Sequence, residues 1–84
     1  MFFNSELQKM RKVFYKYDIR LEQNKNQKQH TPDNTEYEIT ILDNYGMIDL
    51  RKSNVKYKKI KRIFDLTCKN GLLDKDKFKK MIGR

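Results

Sequence analysis

The chain has 84 residues, 37% hydrophobic and 37% charged, with one Cys, one Pro and three Gly. A length this small supports one hydrophobic core with a stability of about 4–12 kcal/mol, which excludes multi-domain enzymes and large internal active-site cavities. Lys and Arg total 20 against 11 Asp and Glu, a net charge of +9 that attracts polyanions such as nucleic acid, anionic lipid or an acidic protein surface.

Composition accounts for part of this charge: 15 Lys, 7 Asn and 7 Ile with no Ala and no Trp is what an AT-rich genome encodes whatever the function. The distribution says more. Residues 1–35 carry +3, residues 36–53 carry −2 and residues 54–84 carry +8, a local asymmetry that points to a binding face. The single Cys68 excludes an internal disulfide, and no Cys/His cluster has zinc-ligand spacing, so a reducing, cytoplasmic setting is expected, without metal or other cofactor. Met1-Phe2-Phe3 is too short for the core of a signal peptide, and no apolar run approaches 18 residues, so no membrane association is expected.

In chain order, Asn4 to Arg11 reads as a short helix, with Asn4 or Ser5 as N-cap and Gln8 in the capping-box position. The next segment has two readings. Leu7, Met10, Phe14, Tyr17 and Leu21 fall at helical spacings, yet Val13, Tyr15, Tyr17, Ile19 and Leu21 alternate with polar residues at period two. The density of aromatic and β-branched residues favours a strand over 12–22. Gln23 to Thr35 holds no apolar anchor and the only Pro, and reads as a polar, mobile loop.

Tyr37–Ile41 alternates again, Asp43-Asn44-Tyr45-Gly46 is a turn with Gly placed for positive φ, and Met47–Lys52 continues the pattern, which predicts a hairpin. Ser53 or Asn54 would cap a helix from Val55 to about Lys69, ended by Asn70-Gly71 in the left-handed manner of a helix C-terminus. Asp74 can cap a last helix through Ile82. The expectation is one α+β domain over residues 1–84: a three-stranded antiparallel sheet packed by helices in two layers, order α-β-β-β-α-α. Its inner face would comprise Val13, Tyr15, Tyr17, Ile19, Leu21, Ile39, Ile41, Ile48 and Leu50, under Ile60, Ile63, Phe64 and Cys68 of the long helix.

The chemistry-bearing candidates are few. On the wheel of the long helix, Tyr57, Ile60, Ile63, Phe64, Thr67 and Cys68 share one side, and Lys58, Lys61, Arg62 and Lys69 lie opposite, with Lys56 and Lys59 at the boundary. Such a stripe suits phosphates, although an ordinary solvated face has the same pattern. Lys75, Lys79 and Lys80 extend the basic C-terminal segment. His30 lacks a carboxylate or nucleophile at readable spacing and is not a catalytic candidate. Asn70–Phe78 imitates half of a calcium loop, but Leu66, Cys68 and Lys77 fall where ligands are required, so a tight turn is the reading. No phosphate-binding Gly loop or catalytic carboxylate pair occurs, and no enzymatic activity is expected.

The order helix, three antiparallel strands, helix, with a His-containing polar loop and a lysine cluster opening the following helix, resembles double-stranded-RNA-binding domains. That resemblance implies a loop contact at His30 and a phosphate clamp at Lys56, Lys58, Lys59 and Lys61, recognising duplex shape. The sequence departs from the family in lacking Gly-Pro before the His, in placing Ile60, Ile63 and Phe64 where the family is Ala-rich, and in its added C-terminal helix. Two functions follow as expectations. One is a small non-enzymatic nucleic-acid-binding domain acting through Lys56, Lys58, Lys59, Lys61, Arg62, Lys69, Lys75, Lys79, Lys80 and His30. The other is an inhibitor or adaptor of phage or mobile-element type that docks on an acidic host protein; a surface patch of Phe2, Phe3, Phe14, Tyr45 and Met47 would favour it.

Overall fold

In the computed structural model, which describes residues 5–23 and 36–84, the first helix, α1, runs Ser5–Lys16. The expected strand over 12–22 is therefore corrected. Met10 and Phe14, four apart, are fully buried, with Leu7, Val13 and Tyr17 packed beside them. Tyr15, which carried the alternating reading, is 67% exposed and lies under the Arg20 guanidinium at 4.4 Å. Burial of the large Phe14 on the helical stripe outweighs the strand preference of its neighbours. The helix ends through i→i−3 bonds from Tyr17 N to Phe14 O and Asp18 N to Tyr15 O, with Asp18 in the left-handed region at φ 61°. True alternation begins only at β1 (Ile19–Gln23), where Ile19 and Leu21 are buried.

The predicted hairpin is present as β2 (Glu36–Leu42) and β3 (Ile48–Lys56). Its turn is held by Asp43, whose Oδ1 accepts from Tyr45 N (2.8 Å) and Met47 N (2.9 Å), and by Gly46 at φ 78°. The sheet is antiparallel, order β1-β2-β3, with Ile19 opposite Ile41, Leu21 opposite Ile39 and Ile41 opposite Leu50. Two register shifts alter what the sequence suggests. The shift between Ile41 and Leu42 sets Ile48 opposite Leu42, and Ile48 is 58% exposed instead of facing the core. The shift between Tyr37 and Ile39 coincides with Asn54 at φ 60°, and it returns Val55 to a buried position opposite Tyr37.

Val55 thus belongs to β3, and neither Ser53 nor Asn54 caps a helix: Ser53 Oγ instead donates to Glu38 Oε2 (3.1 Å). The long helix, α2, runs Tyr57–Thr67, with Tyr57, Ile60, Ile63 and Thr67 buried. Asn70-Gly71 also acts differently from expectation. It forms the two-residue turn of a small hairpin, β4 (Cys68–Lys69) and β5 (Leu72–Leu73), with φ of 55° and 80°. Positive φ at both central residues is what a tight hairpin turn requires, and Asn-Gly supplies it at little steric cost. Asp74 caps α3 (Lys75–Ile82) as expected, its Oδ1 accepting from Lys77 N.

Over the described residues the protein is therefore an α+β domain with a three-stranded antiparallel sheet, three helices and the extra hairpin. One core joins Ile19, Ile39 and Ile41 to Ile60 of α2 and to Phe78 and Ile82 of α3. Phe14 sits at its centre, edge-on to Phe64 (ring centroids 5.3 Å, 89°) and tilted against Phe78 (5.0 Å). Tyr17 ties the small hairpin to α1 by accepting a hydrogen bond from Leu73 N (3.1 Å).

Candidate nucleic-acid interface

The register shift at Asn54 is what aims the basic cluster. By turning Val55 inward it leaves Lys56 exposed on extended backbone (φ −73°, ψ 147°), directly before α2. Tyr57 and Ile60 anchor the first turn in the core, so Lys58, Lys59 and Arg62 face solvent. Lys56, Lys58, Lys59 and Arg62 together line an open hollow of about 490 Å3. None of the four makes an ion pair among the described residues.

Local electrostatics sharpen this arrangement. The first turn of α2 contains no acidic residue, and its N-cap residue, Lys56, makes no side-chain capping hydrogen bond. Cations at this end oppose the helix dipole, an arrangement worth about 0.3–1 kcal/mol per charge in the unfavourable sense, and an anion placed there relieves it.

The other cations of the predicted set are disposed differently. Lys61 is held between Glu6 and Asp65, at 3.3 Å from each, which straps α1 to α2. Hydrogen bonds to Asp65 and then Glu6 raise its pKa above the ordinary lysine value. Lys75 Nζ donates to the Leu42 carbonyl (2.8 Å), and Lys79 pairs with Asp49, so both ammonium groups are drawn to the hairpin end of the sheet. Lys69 and Lys80 are exposed, without an ion pair among the described residues. His30 and most of the polar loop lie outside the described residues.

The outward face of the sheet is a different environment. Arg51 donates to both oxygens of Glu38 (3.2 and 3.0 Å), and Ser53 adds a third bond to that carboxylate. The Arg51 bond is the main reason the Glu38 carboxyl lies below the usual carboxylate range, against an opposing effect of burial. This face is neutralised by cross-strand pairing and offers phosphates little.

Cys68 is half-buried beside the core. Among the described residues no group of His, Cys, Asp or Glu could hold a metal ion, and no helix is long and apolar enough to cross a membrane. No protein family, curated protein or solved structure matches the chain, so the resemblance to double-stranded-RNA-binding domains rests on element order.

Proposed function

We propose that this chain is a small non-enzymatic nucleic-acid-binding domain that contacts the phosphate backbone through Lys56, Lys58, Lys59 and Arg62. The observation that carries the reading is the convergence of these four exposed cations, without an ion pair among the described residues, on one hollow at a helix start that its own N-cap side chain does not cap. Lys69 is not on α2 but on β4, beyond its end, and is a further exposed cation of the C-terminal segment. Lys61, Lys75 and Lys79 belong to the scaffold of this surface through their internal partners.

The test is fluorescence anisotropy with labelled duplex DNA, duplex RNA and single strands at two salt concentrations. Four phosphate contacts give a slope of about −3.6 in log K against log salt on duplex DNA, so affinity falls about 100-fold for a fourfold rise in salt. Lys58→Glu/Arg62→Glu should abolish binding. A charge-matched Lys12→Glu/Lys77→Glu variant should retain most of it, and equal loss in both variants would reject the assigned face.

One observation favours docking on an acidic host protein instead. Of the expected patch, Phe2 and Phe3 lie outside the described residues and Phe14 is buried, but Tyr45 and Met47 stand exposed at the β2–β3 tip, beside the exposed Ile48. Nine residues of β3 hold that tip about 27 Å from Lys56. This second reading predicts a one-to-one complex that a Tyr45→Ser/Met47→Ser variant loses, and oligonucleotide binding no stronger than nonspecific.

A further inference from the structure

Beside the basic hollow lies a second concavity, of about 630 Å3, between the start of α1 and the outer side of α2. It is open to solvent along one side. Lys58 and Arg62 line both hollows, so whatever lies in one is within reach of the cations of the other. The apolar lining of the second hollow is Leu66, which is 56% exposed, with the buried Tyr57 at its base. Nothing about phosphate binding requires a leucine at that position, because a phosphate-tracking surface has no use for apolar area.

The polar groups of the hollow are equally specific. Glu6 and Asp65 contribute carboxylates, each oriented by the Lys61 ammonium at 3.3 Å. Glu6 Oε2 also accepts from the Tyr57 hydroxyl (3.4 Å), and since a carboxylate carries about four acceptor sites, the second oxygen of Glu6 and of Asp65 keeps its capacity. Two carboxylates sharing the one Lys61 ammonium disfavour a phosphate or an acidic side chain inside the hollow, and leave phosphates to Lys58 and Arg62 at its border with the basic hollow. The carboxylates are suited to the N–H donors on the edge of an amino-bearing base. Apolar wall, acceptors on the rim and shared cations at the mouth are the three elements that hold a base with its phosphate outside.

We infer that the hollow between α1 and α2 receives an unpaired nucleobase, packed on Leu66 and accepted by Glu6 and Asp65, while its phosphates lie on the adjoining cations. This inference rests on the phosphate-binding reading and narrows it to single-stranded nucleic acid. A base inside a duplex is stacked on both faces and paired on its edge, and cannot enter such a hollow.

The test uses the full chain carrying Leu66→Trp. The native sequence contains no tryptophan, so the new indole is the only such emitter, and Leu66 lies outside the buried core. Three probes present equal numbers of phosphates per strand: an oligodeoxycytidine strand, an abasic strand of the same length, and the duplex of the first with its complement. The expected result is quenching by the cytidine strand alone and, in the unsubstituted chain followed by anisotropy, tighter binding of the cytidine strand than of the abasic strand. In the otherwise native chain, Leu66→Ala should bring the cytidine strand down to the abasic level in anisotropy. If cytidine and abasic strands bind alike, with steep salt dependence and no quenching, the base site is overturned and the phosphate reading stands. If no oligonucleotide binds at all, the phosphate reading fails and this inference fails with it. If an acidic leucine-containing peptide quenches where no strand does, the hollow serves a protein partner and the inference is again overturned.

Discussion

Phe14 and Tyr15 are neighbours in sequence and opposites in energy. Phe14 is completely enclosed by Phe64, Phe78 and the aliphatic core, whereas Tyr15 keeps most of its surface in water. Phe14→Ala should cost about 3–5 kcal/mol, a large share of the stability of so short a chain. Tyr15→Ala should cost no more than about 1 kcal/mol, the worth of an exposed contact with Arg20. Urea denaturation of the two variants measures the contrast directly; were Tyr15 the costly residue, the strand reading of this segment would be restored. The pair also explains what was hidden in the sequence. Every residue from Val13 to Tyr17 except Lys16 is apolar or aromatic, so both periodicities find matches there, and only tertiary enclosure of Phe14 decides between them.

Among the elements, turns were read more reliably by position than by role. The Asp43–Gly46 turn and the Asp74 cap follow from local hydrogen bonding by one side chain and behave as their sequence suggests. Asn70-Gly71 was legible as a left-handed pair, but the same backbone serves a helix end and a tight hairpin, and the pairing of Cys68 with Leu73 selects the hairpin. Gly71 at φ 80° meets no neighbouring atom, so a substitution there suffers from backbone conformation alone. Gly71→Ala should therefore cost about 1–2 kcal/mol in thermal or chemical denaturation, and a smaller effect would show that this turn can relax. Asn54 left a weaker trace: an Asn before an apolar residue is compatible with a cap, and its use at a register shift depends on Tyr37 and Val55 meeting across two strands. That shift exposes Lys56, so the aim of the basic cluster was invisible in the sequence although its residues were not.

For the molecule as a whole, the charge surplus divides into cations that build and cations that remain available. The sequence identifies the lysines of residues 54–84 but cannot separate Lys61, enclosed by Glu6 from 55 positions earlier, from Lys58 and Arg62 on the same helix. The paired charges also set how stability depends on pH. Glu38 is depressed in the folded state, so its contribution is complete above the unfolded carboxylate pKa and is lost as pH falls through the folded value. Lys61 is raised, so its contribution is complete below the unfolded lysine pKa and is lost as pH rises through the folded value. Melting temperatures across pH should fall at both extremes, with Arg51→Ala flattening the acid side and Lys61→Met the alkaline side. An unchanged profile in either variant would remove that pair from the account.

Phe78 and Ile82 of α3 are both completely enclosed, and Phe78 is one of the two rings that close over Phe14. A polypeptide translated only as far as Leu73 has the sheet residues and α2 in hand, yet lacks the side chains that cover the centre of the interior. Closure must wait for residues 74–82 to emerge, so a nascent chain that stops short of them carries Phe14 uncovered and becomes resistant to proteolysis only once α3 has been added.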